Sequence, residues 1–445
     1  MATTYLQRTN TTGTSTQKGT ISVWIKSSEE PSGNNQTTLA SWGDANNHGA
    51  LLWNGSDKID AFDYQSGYAS QLQTNAVLRD CSAWYHIVYS WDTTLSTAND
   101  RQKIYINGIE QTYSTRTNYS SGATTSWNAN SYSMRVGALN SSSYFRGSMS
   151  HIHFIDGIQY PATTFGETDA TTGQWKIKTS PSVTYGTNGF SILKDGNTIT
   201  DQSSNSNDFS LGGGTLTKTE DCPSNVFATL NTLDGMSMAS GCTFSNGNTS
   251  VVCASNNYTP YGTTIGVNKG KWYAEFKAKA NMGDGMVGVF ANLGGEGYAL
   301  TRLANSYGWY NASGGNVKTS NSNMTGGASV GTYATNDIIQ IALDLDNNKL
   351  HFNKNNTGWL YSGNPATNAG GYAITDPDST ELGFYFMTAI DWGGGVRGNW
   401  ECNFGNGHFG TTAVASAGTN ASGNGIFEYD VPTGYTALST KGLNL

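Results

Sequence analysis

Charged residues are scarce in this chain of 445 residues, where Asp, Glu, Lys and Arg make up 13 %. Globular proteins carry about 25 %. The 32 acidic and 24 basic residues give a net charge of −8, and basic residues form no run longer than one or two. Because proteins that bind nucleic acid normally carry a basic stripe, we expect no nucleic-acid partner.

Long hydrophobic runs are missing as well. No stretch approaches the ~20 apolar residues of a membrane span, so we expect no membrane insertion. The first eight residues, Met1-Ala-Thr-Thr-Tyr-Leu-Gln-Arg8, contain neither a basic n-region nor an apolar h-region. The sequence therefore predicts no signal peptide.

Cysteine is rare and unpatterned. The five cysteines, Cys81, Cys222, Cys242, Cys253 and Cys402, include no Cys-x-x-Cys pair. Metal-ligand spacing is therefore absent. The simplest prediction is five free, buried thiols, and a bridge between Cys242 and Cys253 is the alternative.

Small polar residues dominate what is present. The chain contains 55 Gly, 45 Asn, 46 Ser and 55 Thr, but 12 % of it is aromatic and 12 residues are Trp. Disordered chains lack such aromatic content. Because Gly, Asn and Ser favour turns, while Thr and aromatic residues favour strands, the composition predicts an all-β protein.

The first third shows the period-two alternation of strands. It contains, in order, Thr20-Ile-Ser-Val-Trp-Ile25, Trp84-Tyr-His-Ile-Val-Tyr-Ser-Trp91, Ile104-Tyr-Ile-Asn-Gly108, Val136-Gly-Ala-Leu139 and Phe145-Arg-Gly-Ser-Met-Ser-His-Ile-His153. Asn107-Gly108 supplies the turn of a tight hairpin. This order resembles the laminin-G/concanavalin A-like family, which implies an antiparallel β-sandwich over residues 1–160. Such a fold leaves the function open.

Residues 161–238 look different, with short strand-like pieces separated by turn-rich segments such as Asp201-Gln-Ser-Ser-Asn-Ser-Asn-Asp208. They offer little apolar surface to bury. We predict a loop-rich connector here.

Alternation resumes in the last part of the chain. Gly270-Lys-Trp-Tyr-Ala-Glu-Phe276, the hairpin sequence from Asp337 to Phe352, and Glu401-Cys-Asn-Phe-Gly405 resemble strands of the SPRY family. That resemblance implies a second antiparallel sandwich, of the jelly-roll type like the first, over residues 239–437. It would bind partners through its loops, and residues 438–445 would form a tail.

The two resemblances together are similar to the surface proteins of tailed phages, particularly marine ones. This implies a non-enzymatic virion protein, a capsid decoration, head fibre or tail appendage. It would be made in the host cytoplasm, dock on major capsid or tail proteins, bind host glycans or proteins, and self-associate, with a trimer as our expectation. A polysaccharide-degrading enzyme and a cellular lectin or adhesion protein are the alternatives.

Several motifs weigh against catalysis or cofactor binding. Gly283-Asp-Gly-Met-Val-Gly288 fits a dinucleotide fingerprint, but a strand rather than a helix is predicted to follow it. Asp344 begins a stretch that lacks the Gly and Glu of a calcium loop, so we predict a hairpin turn. His151-Ile-His153 places two imidazoles on one strand without an evident third ligand. We predict no catalytic residue, no metal and no cofactor.

Paired carboxylates are the mark of sandwich glycosidases. The closest acidic run is Asp57-Lys-Ile-Asp-Ala-Phe-Asp63, whose spacing of three alternates between strand faces.

Aromatic residues among turn residues are the remaining candidates. An exposed ring stacks on a sugar or anchors a protein interface, while amides and carboxylates beside it bond hydroxyl groups. Each Trp in such a setting has the alternative of folding back onto its own sandwich. The predicted ligand-binding residues are Trp127, Asn128, Trp309, Tyr310, Asp391 and Trp392.

Overall fold

The computed structural model describes residues 3–28, 36–81, 83–194, 198–232, 242–253, 261–280, 282–292, 300–391 and 399–444. It divides into two compact units, residues 1–218 and 219–445. Among the described residues, no helix is long and apolar enough to cross a membrane. Helical structure there consists of short 3₁₀ turns at Ala98–Asp100, Ala162–Thr164, Met282–Asp284, Pro365–Thr367, Pro377–Ser379 and Gly442–Asn444.

The first unit is built from antiparallel strands, as the alternation predicts. Its described strands are β1 (Tyr5–Thr9), β2 (Lys18–Ser27), β3 (Thr37–Gly43), β4 (Asn47–Trp53), β5 (Ile59–Gln65), β6 (Tyr68–Thr74), β7 (Tyr85–Asp92), β8 (Gln102–Ile106), β9 (Ile109–Glu110), β10 (Tyr113–Thr117), β11 (Ser133–Val136), β12 (Gly147–Asp156), β13 (Gly166–Thr168), β14 (Trp175–Ile177), β15 (Phe190–Ile192) and β16 (Ser210–Gly213).

Two sheets of this unit form a sandwich. The eight-stranded sheet has the order β10-β6-β5-β4-β3-β11-β1-β16, and the six-stranded sheet has the order β15-β12-β2-β7-β8-β9. Alternate residues of each strand, such as Ile21, Val23 and Ile25 of β2, enter one shared hydrophobic core. The predicted hairpin at Asn107-Gly108 is confirmed: both residues have positive φ, 47° and 83°, and connect β8 to β9.

The predicted connector is different from what the structure contains. Residues 161–218 belong to the first unit, because β15 pairs with β12 and β16 pairs with β1. Phe190, Ile192 and Phe209 are buried in the core of this sandwich. The short strands carry few apolar residues because each only extends a sheet that the first 160 residues have already formed.

The second unit is also all-β. Its described strands are β17 (Cys242–Ser245), β18 (Ser250–Cys253), β19 (Lys271–Ala280), β20 (Gly285–Phe290), β21 (Ser306–Tyr310), β22 (Asn316–Thr319), β23 (Ser322–Asn323), β24 (Ile338–Asp344), β25 (Lys349–Lys354), β26 (Tyr372–Ala373), β27 (Phe386–Asp391), β28 (Asn399–Asn403), β29 (His408–Phe409), β30 (Thr412–Ala413) and β31 (Thr436–Ala437).

An eight-stranded sheet, in which β17-β18-β28-β19-β24-β25-β26 form a continuous path and β31 pairs with β19, lies in this unit with the five-stranded sheet β23-β22-β21-β20-β27. Their inner faces share one core, which contains Trp272, Phe276, Trp309 and Trp400. The fold class is thus the predicted one, all-β with antiparallel sandwiches.

Local predictions in this unit are confirmed in two places. The glycine motif 283–288 runs into strand β20 and not into a helix. The Asn347-Asn348 turn connects β24 to β25 with Asn348 at a φ of 53°. Asp344 accepts hydrogen bonds from the backbone N–H groups of Asp346 and Asn347, which fixes this turn.

The prediction of five free thiols is wrong for Cys242, which is disulfide-bonded. In the register of β17 and β18, Cys242 lies directly opposite Cys253. This is the alternative position that the sequence allowed. Cys81, Cys222 and Cys402 carry free thiols.

Candidate functional site

Trp127 is not an exposed ring. Its side chain is fully buried in the core of the first sandwich, with ring centroids 5.3 Å from both Trp42 and Tyr89. A Cβ atom at Gly49 would lie 2.5 Å from the indole of Trp127. The glycine on β4 therefore makes room for this ring, and the expectation of an exposed Trp127 is wrong.

Asn128, the next residue, is also buried and has a structural role. Its φ is 63° and its side chain is fully buried. The Nδ2 atom donates to Asp156 Oδ1 at 2.8 Å and to the Ser15 carbonyl at 2.9 Å, while Oδ1 accepts from Asn188 Nδ2 at 2.8 Å. These bonds hold three distant segments together, so this amide does not face the surface.

Trp309 and Tyr310 are adjacent on β21 and point to opposite faces of the sheet. Trp309 is buried in the core and donates from Nε1 to the Gly331 carbonyl at 3.0 Å, which corrects the expectation that it is exposed. Tyr310 is half-buried, and its hydroxyl donates to Asp284 Oδ1 at 2.7 Å. The Nζ atom of Lys318 lies 5.4 Å from the centre of the Tyr310 ring.

Asp391 ends β27, opposite Gly285 of β20, while Tyr310 lies opposite Met286 on the other side of β20. The structure thus brings Tyr310 and Asp391 to the same end of the five-stranded sheet. Trp392 lies outside the described residues. A ligand-binding role for Tyr310, Asp391 and Trp392 stays a prediction.

The two histidines on β12 are not arranged as a pair of ligands. His151 has a φ of 47° at a register shift between β12 and β2, and its Nδ1 lies 2.7 Å from Ser150 Oγ. His153 contacts the Tyr185 hydroxyl at 3.0 Å through its own Nδ1. Within the described parts of the chain, no group of three or more His, Cys, Asp or Glu residues could hold a metal ion.

An aromatic cluster that the sequence analysis did not propose lies on the outer side of β4, β5 and β6. Ile59 and Ala61 of β5 enter the core, so Asp60, Phe62 and Tyr64 point outward, as strand alternation requires. We call this surface the aromatic face and define it by His48, Asp60, Phe62, Tyr64, Tyr68, Gln71 and Gln73.

The rings of the aromatic face support one another. Tyr68 meets Phe62 and Tyr64 edge to face, with centroids 5.6 Å apart in both pairs. His48 lies 5.6 Å from Phe62 and 5.5 Å from Tyr64. Phe62 is 8 % exposed, whereas Tyr68 is 56 % exposed. The exposed Tyr68 ring is therefore supported by the buried Phe62 and by the half-buried Tyr64.

Polar groups lie directly beside these rings. In the register, Phe62 is opposite Gln71 and Asp60 is opposite Gln73. Gln71 Nε2 donates to Asp60 Oδ2 at 3.1 Å, and Gln73 Nε2 donates to the same oxygen at 3.5 Å. Burial raises the pKa of Asp60, and these amide donors act against that shift. The aromatic face thus combines ring surface with half-buried amide groups that are bonded to a carboxylate only 6 % exposed.

The acidic run of residues 57–63 does not place two carboxylates on this face. Asp63 points inward, where it accepts bonds from the Tyr119 hydroxyl at 3.1 Å and the Ser126 N–H at 2.9 Å. Asp57 pairs with Arg79 at 3.0 Å. The predicted alternation of Asp60 and Asp63 between the two strand faces is confirmed.

A sequence signal for the aromatic face did exist. The order Asp60, Phe62, Tyr64 is a period-two row of polar and aromatic residues, and Ile59, Ala61 is the apolar row between them. The informative pattern in this run is the alternation of polar and aromatic residues and not the spacing of its carboxylates. The partner strand β6, with Tyr68, Gln71 and Gln73, shows weaker alternation because the pairing contains a register shift near Tyr64.

Comparisons with known proteins found similar solved structures and one matching family model. No curated protein matches this sequence. Among solved structures, the chain is similar to the SPRY domain of human HERC1, with 18 % identity, a TM-score of 0.29, and coverage of 36 % of this chain and 91 % of that chain. It is also similar to the TRIM65 PSpry domain, with 12 % identity, a TM-score of 0.30, and coverage of 40 % of this chain and 91 % of that chain.

A third similar structure is domain 4 of AbnA, a GH43 extracellular arabinanase from Geobacillus stearothermophilus, in complex with arabinotriose. The identity is 20 %, the TM-score is 0.24, and 33 % of this chain and 64 % of that chain are covered. Residues 1–159, which contain the aromatic face, match the family model of the concanavalin A-like lectin/glucanases superfamily.

Proposed function

We propose that this protein binds carbohydrate without cleaving it, through the aromatic face of the first unit. One observation carries the proposal: the exposed Tyr68 ring is held by Phe62 and Tyr64, and Phe62 lies opposite Gln71, whose amide is bonded to Asp60. An aromatic ring buries the apolar C–H face of a sugar. A few convergent polar groups then fix the orientation of its hydroxyls.

The family match of residues 1–159 supports a glycan ligand, because it covers both lectins and glucanases. The arrangement of carboxylates favours binding over hydrolysis. Glycosidases of this kind need two carboxyl groups across the scissile bond. Asp60 faces the ring cluster, while Asp63 is turned into the core and Asp57 is paired with Arg79.

A glycan array probed with the full chain tests this proposal. We expect binding that the substitution Tyr68→Ala weakens about tenfold, because burying a large aromatic side chain is worth roughly 1.5–3 kcal/mol. Tyr361→Ala is the matched control, since Tyr361 is a similarly exposed tyrosine of the second unit, at 45 %.

Two results would contradict it. If Tyr68→Ala and Tyr361→Ala bind like the unchanged protein, the ligand is held elsewhere. If reducing ends accumulate when the protein is incubated with a bound polysaccharide, the chain cleaves its ligand and the non-enzymatic part fails.

We also propose that the chain acts on the surface of a tailed-phage particle, made in the host cytoplasm and docked on major capsid or tail proteins. The support is the order of a concanavalin A-like and a SPRY-like sandwich in one sequence. Mass spectrometry of purified particles should find the chain in fixed proportion to the capsid protein, and native mass spectrometry should give a trimer. Absence from the particles would refute this assignment.

A further inference from the structure

We infer that the glycan bound at the aromatic face is acidic, a polymer that contains uronic acid, and that Arg135 binds its carboxylate. This inference rests on the proposed function and adds the class of ligand. It depends on the position of Arg135, on its unused donors and on the charges around it.

Arg135 lies in the same row of side chains as Phe62. It is opposite Ser41 of β3, Ser41 is opposite Ala50 of β4, and Ala50 is opposite Phe62 of β5. Because directly paired residues point to the same side of a sheet, Arg135 and Phe62 share the outer side. Neighbouring strands are about 4.8 Å apart, so their backbones are separated by three such steps.

The guanidinium group reaches toward the rings. Its Nη1 donates to the Gly43 carbonyl at 3.4 Å, and Gly43 is directly opposite His48. His48 in turn contacts Phe62 and Tyr64. The positive charge therefore lies about one strand spacing from the aromatic face, within the length of an oligosaccharide stacked on Tyr68.

Most of the hydrogen-bonding capacity of Arg135 is unused. Both of its bonds, to Gly43 O and to Asn140 Oδ1, come from Nη1 and are 3.4 Å long. Within the described residues, Nε is buried without a partner and no carboxylate lies within salt-bridge distance of the group. A ligand carboxylate would therefore meet the Nη edge of the guanidinium, where the bonds of Nη1 are long and no bond from Nη2 occurs within the described residues, and such an edge matches a carboxylate through two parallel bonds.

The charged and titratable neighbours leave this donor available. Asp44 is exposed, and its Oδ1 accepts the backbone N–H groups of Asn46 and Asn47, both at 2.8 Å. Those bonds lower the pKa of Asp44, so its charge is held by its own loop. Asp60, two residues before Phe62 on β5, accepts hydrogen bonds from Gln71 and Gln73 of β6. Burial lowers the pKa of His48, which keeps that ring neutral at pH 7.

Matched polymers test the inference with the full chain. Polygalacturonate, alginate and hyaluronan are each compared with the carboxyl-reduced form, which keeps the sugar backbone and removes the charge. We expect at least one acidic polymer to bind about tenfold more tightly than its reduced form in isothermal titration calorimetry, with a gap that shrinks as salt is added.

Variants of Arg135 test whether this residue causes the difference in affinity between the acidic and the reduced polymers. Arg135→Gln should remove the preference for the acidic polymer and leave binding to the reduced form unchanged, and Arg135→Lys should restore only part of it. Arg116→Gln is the charge control, because Arg116 is opposite the core residue Leu72 and so points to the other side of the same sheet. It should keep the full preference.

Each remaining outcome counts against a stated claim. Equal binding of acidic and reduced polymers by the unchanged protein, or an acidic preference that survives Arg135→Gln, overturns the inference while carbohydrate binding stands. If none of the six polymers binds while the glycan array shows binding, the inference fails and the proposed function stands; if neither shows binding, both fail.

Discussion

The two outer faces of the first sandwich both carry a histidine packed among aromatic rings, but only one of them is covered by another segment of the chain. On the six-stranded sheet, His86 stacks on Trp24 at 4.7 Å and on Trp175 at 6.0 Å. On the eight-stranded sheet, His48 contacts Phe62 and Tyr64 at similar distances. The first face is covered by residues 158–185, whereas the second presents Tyr68 to solvent.

On the covered face, the contacts between His86 and its neighbours stabilise the fold. Trp175 Nε1 donates to His86 Nδ1 at 3.0 Å, so the proton of the neutral ring is on Nε2, which donates to Ser22 Oγ at 2.8 Å. Both ring nitrogens are satisfied only in this uncharged form. On the aromatic face Tyr68 is 56 % exposed, which leaves its ring available for the proposed ligand.

The largest expected difference between the two faces is their response to acid. Burial lowers the pKa of His86 and of His153 to about 3, against about 6.5 in the unfolded chain. The stability that these neutral rings provide is complete above pH 6.5 and is lost as the pH falls toward 3. Between pH 7 and pH 5 we expect a loss of about 2 kcal/mol for each histidine, measured by urea unfolding.

His48→Gln is the control from the open face. Because burial also lowers the pKa of His48, this variant should lose slightly less stability on acidification than the unchanged protein, and most of the loss should stay, since His86 and His153 remain. A free energy of unfolding for the first unit that does not fall between pH 7 and pH 5 would show that the covered rings accept a proton without cost.

Removing the cover itself should have the next largest effect. A Cβ atom at Gly108 or at Gly166 would lie within 2.5 Å of the Trp175 ring, so this indole fills a space that two glycines leave. Trp175→Ala should lower the free energy of unfolding by about 3 kcal/mol. Tyr68→Ala, the corresponding change on the aromatic face, should cost under about 1 kcal/mol. Equal losses would mean that the two faces do not differ as described.

Much of this fold could be predicted from the sequence, because strand alternation and turn chemistry are local. The rows Ile21, Val23, Ile25 and the Asn107-Gly108 turn needed no knowledge of distant residues. The prediction of a connector was wrong because β15 and β16 form by pairing with strands about 40 and 200 residues earlier in the chain. Such pairings leave no mark on the short strands themselves.

The candidate site was harder to predict for the same physical reason. Trp127 and Trp309 stand in turn-like sequences, yet each is buried, because a glycine elsewhere or a distant carbonyl accommodates the ring. Tyr68 looks no different in sequence from Tyr185, which packs on the covered face. Whether a ring is open depends on where the rest of the chain returns, and composition around the residue does not encode that.

The smallest expected effect concerns the polar half of the aromatic face. Gln71→Ala removes the donor that most opposes the burial of Asp60. The pKa of Asp60 should rise further, so the variant should lose about 1 kcal/mol at pH 7. Below the unfolded pKa of Asp the carboxyl is protonated in both states, and the loss should disappear.

Urea midpoints at pH 7 and pH 3.5 measure this difference between variant and unchanged protein, and the acid loss from His86 and His153 is common to both. Gln73→Ala is the matched control, since its bond to Asp60 is 3.5 Å long and should matter less. If Gln71→Ala costs as much at pH 3.5 as at pH 7, the amide acts by packing and not through the Asp60 charge. The amides of the aromatic face would then stabilise the fold by packing, as the uncharged rings of the covered face do.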